Sequence, residues 1–297
     1  MGKEKSKTIS YLCGLVGINR QLYYRSFWIN RKKQSKTEQA LSLIKDIRMQ
    51  MPRIGARKLY YMLEPSLKEL HIGRDKLFKI LRVNQMLIKR KRNYRITTDS
   101  HHRFHKHKNL IENIVLERPE QVFVSDITYL GGRENNCYLS LVTDAYSKKI
   151  MGYDVSNSLA TEGSLRALTM AVKQRRYKGE LIHHSDRGLQ YCSNIYQKVL
   201  KKKCIKPSMT ESYDPYSNAI AERVNGILKQ EFLLEDYKVD ISTMKLLVKS
   251  AVHTYNTKRP HWSCYMNTPE QTHKQKEMKI RSYKKRDSCR ASPRTIS

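Results

Sequence analysis

The feature that most constrains the fold is a change in the sequence pattern after residue 120. Residues 121–130 (QVFVSDITYL) are rich in β-branched and aromatic side chains, and a pair of glycines follows them. Two more strands are predicted at residues 137–143 and 149–155, and the short links between them indicate an antiparallel meander. The region therefore begins with three consecutive strands.

Helices and strands alternate beyond the meander. We predict a helix at 161–174 capped by Thr161, a strand at 180–184, a helix at 194–203, a strand at 204–209, a helix from Ser217 to about Leu234, and a helix at about 240–256. Three strands followed by this alternation are typical of a ribonuclease-H-like domain. The predicted fold class is α/β, with a mixed five-stranded sheet and flanking helices, preceded by an α-helical region.

The N-terminal region is predicted to contain two helical modules. Residues 8–25 favour two short helices around a turn at Gly17, which is helix-turn-helix spacing. The side chains that we expect to be buried there are Leu12, Leu15, Val16 and Ile18. The next module has three predicted helices, one from Leu41 ended by Pro52, one from Arg57 limited by Pro65, and one over residues 73–87.

The third helix of the second module has a basic outer face. Its exposed residues are predicted to be Arg74, Lys76, Lys79 and Arg82. This pattern is consistent with a helix laid in the major groove of DNA. A plain three-helix bundle with a solvated face is the alternative.

The charge distribution indicates a polyanionic partner. The chain has 58 Lys and Arg residues against 27 Asp and Glu, a net charge of +31. Residues 1–120 hold 28 basic and 10 acidic side chains, residues 121–272 hold 21 and 15, and residues 273–297 hold 9 and 2. The two flanking regions are strongly basic, whereas the central region has nearly equal numbers of basic and acidic residues. This distribution favours flanking segments that bind nucleic acid on either side of a catalytic or scaffold domain. A merely soluble, lysine-rich protein is the alternative.

Residues 88–108 are too polar to pack and are predicted to follow DNA phosphates. Of the basic residues at the start of this segment, we count Lys89, Arg90, Arg92 and Arg95 among the DNA-binding residues. Four histidines, at 101, 102, 105 and 107, raise the alternative of a zinc site, but their spacing fits no closed site and no cysteine is near. We therefore favour a basic arm.

The sequence predicts five successive regions. They are a helix-turn-helix segment (1–35), a second helix-turn-helix-like module (36–95), a basic linker (96–118), a catalytic core (119–272) and a basic tail (273–297). No run of eighteen apolar residues occurs and the N-terminus lacks the apolar run of a signal peptide, so we expect a cytoplasmic, nucleoid-associated protein and no membrane partner. The six cysteines are scattered and are predicted to be free thiols.

Three carboxylates are marked by their positions. Asp126 lies within an apolar strand, where its charge is costly unless a salt bridge or a metal ion compensates it. Asp186 follows a strand and precedes a glycine-containing loop, the place where ligands bind in α/β sheets. Glu222 and Lys229 share the side of their helix that faces away from the apolar stripe. Separately, each carboxylate could be structural.

The segments around these carboxylates resemble the OrfB-type bacterial insertion-sequence transposases, of the retroviral-integrase-like DDE superfamily. The matching stretches are VFVSDITYL, HHSDRGLQYCS, SMTESYDPYSNAIAERVNGILKQE and YNTKRPHWS...NTPEQTH. Fifty-nine residues separate Asp126 from Asp186 and 35 separate Asp186 from Glu222, with Lys229 seven positions later. The interval of 35 and this lysine are the signature of the superfamily. The likeness includes the family's helix-turn-helix module at residues 52–110.

The resemblance implies a site and its cofactor. Asp126, Asp186 and Glu222 match the catalytic, metal-binding triad, which holds two Mg²⁺ ions, with Mn²⁺ as a substitute. Lys229 is implied to contact the transposon end, and Asn218 to shape the site, so both are counted with the DNA-binding residues. The family's YN-x-x-RPH motif matches Tyr255, Asn256, Arg259, Pro260 and His261, and its role is left open. Departures from the family pattern are Phe123, Ser217, Trp262 and Cys264.

The function that the resemblance implies is that of a transposase that binds the terminal inverted repeats of an insertion sequence. Such an enzyme cleaves a strand at the element's end to leave a 3′-OH and transfers that hydroxyl to another phosphodiester, first at the element's other end to give a circular intermediate. The implied partners are double-stranded DNA, a second copy of the chain on paired ends, and an upstream small DNA-binding protein, by fusion or association.

Two other functions remain as alternatives. A ribonuclease-H-type nuclease would hydrolyse without strand transfer, and a DNA-binding regulator derived from a transposase would not be catalytic. Two further carboxylates are left out of the catalytic set. Asp144 is predicted to be a turn residue, and Glu162 lies in a first helical turn, where it favours the helix dipole.

Overall fold

The computed structural model describes residues 8–89, 107–112, 114–131, 137–210 and 219–275. The chain divides into two compact units, Met1–Arg90 and Lys91–Ser297. The five-part division predicted from the sequence stays a prediction. Among the helices of the described ranges, none is long and apolar enough to cross a membrane.

The first unit is helical, as predicted. Its helices are α1 (Ile9–Val16), α2 (Arg20–Gln50), α3 (Ala56–Glu69) and α4 (Arg74–Val83). Gly17 ends α1 with φ at 70°, a left-handed conformation that glycine adopts at little cost. The side chain of Asn19 then caps α2 by accepting a hydrogen bond from the backbone N–H of Gln21. The buried apolar residues of this unit include Ile44, Leu59, Leu63, Leu67, Leu77 and Leu81.

Two predicted helix ends are wrong. The sequence predicted separate helices before residue 25 and from Leu41, but α2 is one helix of 31 residues. Neither glycine nor proline interrupts it, so nothing breaks its backbone hydrogen bonds. Pro65 was expected to limit its helix, whereas α3 continues to Glu69. Leucines at 59, 63 and 67 extend one buried face across the proline, and their packing outweighs the lost backbone bond.

The buried side predicted for residues 8–25 is also wrong. Leu12, Leu15, Val16 and Ile18 are all exposed, and Cys13 is the buried residue of this helix. The helix has only two turns and packs on α2, so one narrow side of it is covered. Of the cysteines in the described ranges, Cys13, Cys137, Cys192 and Cys264 are buried, Cys204 is exposed, and all five are free thiols.

The second unit contains the predicted five-stranded mixed sheet. Its strands are β1 (Val122–Leu130), β2 (Cys137–Asp144), β3 (Ile150–Ser156), β4 (Leu181–Ser185) and β5 (Ile205–Met209). The order across the sheet is β3-β2-β1-β4-β5. The first three strands form the antiparallel meander, and β4 and β5 continue the sheet parallel to β1.

Helices cover both faces of this sheet. They are α5 (Thr161–Lys173), α6 (Leu189–Cys192), α7 (Asn194–Lys202), α8 (Ala219–Gln230), α9 (Ile241–Thr257) and α10 (Pro269–Lys274), with a 3₁₀ helix at Trp262–Cys264. Thr161 is the first residue of α5 and Ala160 is its N-cap, so the predicted cap was one residue late. The helix α8 ends at Gln230 rather than near Leu234, and its predicted cap, Ser217, lies outside the described residues.

Alternate residues of β1 enter two apolar layers. Phe123 packs with α5 and α7 residues, including Leu168 and Leu200, on one face of the sheet. Val122 and Val124 pack with Ala221 of α8 on the other. Asp126 has the same parity as the two valines and therefore faces α8.

Gly152 allows β3 and α5 to approach closely. A Cβ atom at this position would lie 2.0 Å from the carbonyl oxygen of Ala167 and 2.8 Å from the backbone nitrogen of Ala171. Both obstacles belong to the helix backbone, which a side-chain rotation cannot clear. The packing of α5 on the sheet therefore requires glycine here.

Candidate active site

The sheet register places Asp126 and Asp186 side by side. Strands β1 and β4 run parallel, with Ser125 opposite Ser185. Each aspartate is the next residue along its strand direction. Asp126 still lies within β1, whereas Asp186 lies just beyond the end of β4. Two carboxylates far apart in the sequence thus become neighbours through strand pairing.

Glu222 reaches the same region from α8. It lies in the first turn of that helix and is exposed. Its pKa is raised, first by partial burial and then by the negative charge of Asp186. The charge of Glu222 also acts on Asp126. The structure therefore brings the three predicted carboxylates into one electrostatic neighbourhood.

Neutral donors hold the carboxylate of Asp126. The side-chain nitrogen Nδ2 of Asn225 donates to its Oδ2 over 2.7 Å. The backbone N–H of Ile127 donates to its Oδ1 over 2.9 Å. Neither donor carries a positive charge, so these bonds orient the carboxylate without neutralising it.

The pKa of Asp126 is raised to about 7. Burial is the largest cause, the charge of Asp186 adds to it, and that of Glu222 contributes less. The hydrogen bonds from Asn225 and Ile127 act in the opposite direction and do not cancel the rise. Ionised together, the carboxylates destabilise one another, which is the condition that a bound cation relieves.

A tight loop fixes Asp186. The backbone N–H of Gly188 donates to its Oδ1 over 3.0 Å. A Cβ atom on Gly188 would lie 3.0 Å from that same oxygen, so a larger residue would press on the carboxylate. The glycine that the sequence marked after this aspartate therefore serves close packing in the loop.

The donor chemistry of the site fits a hard divalent cation. Three carboxylates from β1, the end of β4 and α8 supply oxygen ligands, the type that Mg²⁺ and Mn²⁺ prefer. In the described ranges, no three His, Cys, Asp or Glu side chains lie close enough together to hold one metal ion. The carboxylates are therefore neighbours that repel one another rather than a closed chelating cluster.

A neutral histidine links the strands on the opposite face of the sheet. The Nε2 atom of His183 lies 2.8 Å from the Ser125 hydroxyl and 2.9 Å from the Tyr196 hydroxyl. Burial, with the nearby His184, lowers the pKa of His183 to about 3. An uncharged His183 thus connects β1, β4 and α7 directly behind the carboxylates.

A buried ion pair holds the far end of α8. Arg259 is 2% exposed and donates from Nε and Nη2 to Glu231, over 3.1 and 2.8 Å. Asn256 bonds both the N–H and the carbonyl of Ile150, and the Tyr255 hydroxyl donates to the Lys148 carbonyl. The YN-x-x-RPH segment, whose role the sequence left open, therefore ties α9 to the sheet and to the residue following α8.

A second buried cluster anchors α10. His273 lies 3.3 Å from a carboxylate oxygen of Glu120 and 3.3 Å from one of Asp144, and all three are fully buried. Burial alone would lower the pKa of His273, but the hydrogen bonds to Asp144 and Glu120 raise it overall. Asp144 also accepts hydrogen bonds from the Ser147 backbone and hydroxyl, in agreement with its predicted turn role. Glu162 lies in the first turn of α5, as predicted.

The predicted DNA contacts have different surroundings. Arg74, Lys76 and Arg82 are exposed on α4, and Arg74 pairs with Asp75 over 3.0 Å. Lys89 is exposed beyond that helix, and Lys229 lies in the last turn of α8. Asn218, Arg90, Arg92 and Arg95 lie outside the described residues, as do the histidines at 101, 102 and 105.

The sequence analysis missed two residues that hold the site together, Asn225 and Glu231, and left open the role of a third, Arg259. All three are buried or nearly so: Asn225 bonds Asp126 from α8, and Glu231, directly after α8, pairs with Arg259. A usable signal existed for Asn225, which follows Glu222 by three positions and therefore lies on a neighbouring part of the same helix surface. No comparable signal linked Glu231 to Arg259, because their pairing joins the residues that follow two different helices, 28 positions apart in the sequence.

Two family models match the second unit. Both describe an integrase core domain, one over residues 117–215 and the other over residues 203–269. The matched stretch contains all five strands and all three carboxylates.

Several curated proteins are similar to this chain. A 31 kDa uncharacterized protein of insertion element IS600 from Shigella sonnei is 32% identical over 227 residues, 75% of this chain and 82% of that protein. The transposase for insertion sequence element IS629 from the same organism is 34% identical over 145 residues, 49% of each chain. Transposase InsF for insertion sequence IS3A from Escherichia coli (strain K12) is 33% identical over 166 residues, 55% of this chain and 58% of that one.

Two solved structures complete the comparison. The HTLV-2 integrase catalytic core domain in complex with magnesium (trimeric form) is 19% identical, with a TM-score of 0.43 over 52% of this chain and 97% of that one. The simian T-cell lymphotropic virus intasome in complex with PP2A regulatory subunit B56 gamma is 19% identical, with a TM-score of 0.47 over 77% and 78%.

Proposed function

The chain belongs to the insertion-sequence transposases of the DDE superfamily, and from that premise we propose that it cleaves and joins DNA strands at the terminal inverted repeats of its element. The observation that carries the proposal is the convergence of Asp126, Asp186 and Glu222 from three elements of an integrase core. Mutual repulsion between these carboxylates is the electrostatic condition of a cation-binding site rather than of a structural ion pair.

We propose that Asp126, Asp186 and Glu222 hold two Mg²⁺ ions, for which Mn²⁺ can substitute. When bound, the ions polarise the attacked phosphodiester, activate the attacking oxygen and stabilise the leaving oxygen. The protein residues position these charges. Asp126 and Asp186 are fixed by the sheet and by neutral donors, while Glu222 is carried on α8.

The reaction that this site supports has two steps of the same kind. In the first, water attacks the phosphodiester at the element's end, the P–O3′ bond breaks, and the products are a 3′-OH on the element and a 5′-phosphate on the flanking strand. In the second, that hydroxyl attacks another phosphodiester, first at the element's other end, where a new phosphodiester forms and the P–O3′ bond breaks to release another 3′-OH. One set of carboxylates serves both steps because each is an in-line displacement at phosphorus.

We propose that basic residues in both units hold the DNA. Exposed Arg74, Lys76 and Arg82 on α4 can reach a DNA groove or its phosphates, as can Lys89 beyond it. Lys229 lies seven residues beyond Glu222, almost two turns along α8, and so is suited to the DNA backbone near the reacting end. Asn218 is proposed on the resemblance alone, and the arginines at 90, 92 and 95 are proposed on the basic composition of their segment.

Two DNA ends must be held together, so we propose that the active form contains at least two copies of the chain. Association with an upstream small DNA-binding protein, or fusion to it, is a separate proposal. A mass measurement on the protein bound to paired ends distinguishes these forms. A complex with one copy on two ends would contradict the first proposal.

A joining assay with DNA carrying the element's ends tests the function. The wild-type chain in Mg²⁺ should nick these ends and should join an end that already carries a 3′-OH. Asp126→Asn should do neither. Glu162→Gln, an exposed carboxylate that we leave outside the site, is the matched control and should retain both activities. Hydrolysis without joining would indicate a nuclease, binding without either would indicate a regulator, and nicking by Asp126→Asn would refute the triad.

A further inference from the structure

Asn225 connects the helix of one carboxylate to the strand of another. It follows Glu222 by one turn of α8 and is 4% exposed. Its Nδ2 donates to Oδ2 of Asp126 over 2.7 Å, across 99 residues of sequence. The bond therefore fixes the Asp126 carboxylate and, with it, the distance between α8 and β1 at the level of Glu222.

The chemical type of this side chain suits a cation site. A lysine or arginine here would bring the positive charge that the carboxylates require and would compete with a metal ion. A further aspartate would add to the repulsion, and an apolar residue would leave Oδ2 without its donor. An amide donates to the carboxylate and remains neutral, so it orients the ligand while preserving its negative charge.

The other end of the same amide is unsatisfied. Among the described residues, Oδ1 of Asn225 is buried and has no hydrogen-bond partner. Rotating the amide by half a turn would point this oxygen at the negatively charged Asp126 and lose the bond to Oδ2. The orientation is thus set by the carboxylate, and a buried acceptor is left unpaired as a consequence. The bond to the carboxylate therefore takes precedence over pairing the amide oxygen.

We propose that Asn225 is a positioning residue, which holds Asp126 and the Glu222 turn of α8 in the arrangement that binds the divalent cations. This rests on the proposed function. Residues that orient metal ligands in this way affect metal affinity or activity by about 10- to 100-fold when they are replaced.

Asn225→Leu in the full chain tests the proposal, because leucine keeps the approximate shape and removes both polar atoms. We expect the variant to bind Mn²⁺ about 10- to 100-fold more weakly, as measured by the paramagnetic resonance of free Mn²⁺. Its rate of end cleavage at saturating DNA should fall by a similar factor, with unchanged affinity for end DNA. High Mn²⁺ concentration should restore part of the rate. The midpoint of urea unfolding should change little, because removing the unpaired acceptor offsets the loss of the hydrogen bond to Asp126.

Asn256→Leu is the matched control. Asn256 is also a buried helical asparagine, and it bonds the backbone of Ile150 away from the carboxylates. This variant should unfold at lower urea concentration but bind Mn²⁺ normally in its folded state.

Wild-type Mn²⁺ affinity in Asn225→Leu would overturn the positioning role, as would an absence of Mn²⁺ binding by the wild-type chain. A wild-type chain that binds Mn²⁺ but does not cleave or join end DNA would count against the proposed function instead. In that case the Mn²⁺ affinities of wild type and Asn225→Leu still decide the role of Asn225.

Discussion

Asp126→Asn should stabilise the metal-free protein at alkaline pH even though it removes a proposed catalytic group. The pKa of Asp126 is raised to about 7 from a reference of 3.8, mainly by burial and by the charge of Asp186. A folded-state pKa above the unfolded value means that the native state favours the protonated form. Stability is therefore highest below about pH 4 for this group and falls as the pH rises toward 7.

The magnitude follows from the size of the rise. A difference of about three pKa units corresponds to about 4 kcal/mol at full ionisation, at about 1.4 kcal/mol per unit. Asp126 is only partly buried by surface area, so solvent screens part of this effect and we expect about 2 kcal/mol. Asparagine is neutral and nearly isosteric, and Oδ1 of Asn225 is available to accept from its amide after a half-turn rotation.

Urea unfolding in EDTA at pH 5 and pH 8 measures the effect. The variant should exceed wild type by about 2 kcal/mol at pH 8 and by less than half of that at pH 5. Asp154→Asn is the control, because Asp154 is paired with Arg166 over 2.8 Å and should not be stabilised by losing its charge. Added Mg²⁺ should stabilise wild type and have little effect on Asp126→Asn. A variant no more stable than wild type at pH 8 would refute the electrostatic reasoning.

Three further predictions concern the scaffold. Gly152→Ala should lower the free energy of unfolding by about 3 kcal/mol or more, because the helix backbone must move to admit the new Cβ atom. Gly226→Ala, which has open space around its Cβ, should raise that free energy by up to about 1 kcal/mol. Thermal denaturation measures both variants, and equal effects would contradict the close contact at Gly152. Glu231→Gln should lower the free energy of urea unfolding by about 3 kcal/mol, because it leaves the buried guanidinium of Arg259 without its charge partner. Glu180→Gln, which removes a charge from an exposed pair, should lower it by less than about 1 kcal/mol. A loss for Glu231→Gln no larger than that of Glu180→Gln would contradict the role of the buried pair. Protonated His273 stabilises the fold below pH 6.5, and this stabilisation is lost as the pH rises through the raised pKa of His273. His273→Gln should therefore lower the free energy of urea unfolding more at pH 6 than at pH 9. A loss that is the same at both pH values would exclude a charged His273.

The α/β order was predictable because each strand carries its own signal. Segments such as residues 121–130 combine β-branched composition with glycine at the end, and the resulting strand β1 ends at Leu130 as predicted. The helix α9 begins after Asp240, a side-chain cap that is readable in the sequence. Periodicity and caps are local properties, so elements defined by them were identified to within a few residues.

The errors arose where tertiary contacts override local signals. Pro65 is a helix breaker by local rules, yet the buried face of α3 continues past it. The apolar residues of α1 have helical spacing, but no spacing rule shows whether a partner surface exists, and Leu15 and Val16 are exposed. In the sequence Asn225 is one polar residue among others on its helix, because its hydrogen-bond partner, Asp126, is 99 positions away.

The motifs distant from the carboxylates acquire a physical role from these contacts. The helix α8 carries Glu222, and its placement fixes the third carboxylate relative to the two that the sheet positions. Asn225 holds the first turns of α8 against Asp126, and the Glu231–Arg259 pair holds the residue after its last turn against the segment that follows α9. A shift of α8 would move Glu222 without unfolding the sheet, so loss of either attachment should lower activity, and loss of the Glu231–Arg259 pair should lower stability as well. Arg259 of the YN-x-x-RPH segment thus belongs with the three carboxylates, because its pairing with Glu231 restrains the end of the helix that carries Glu222.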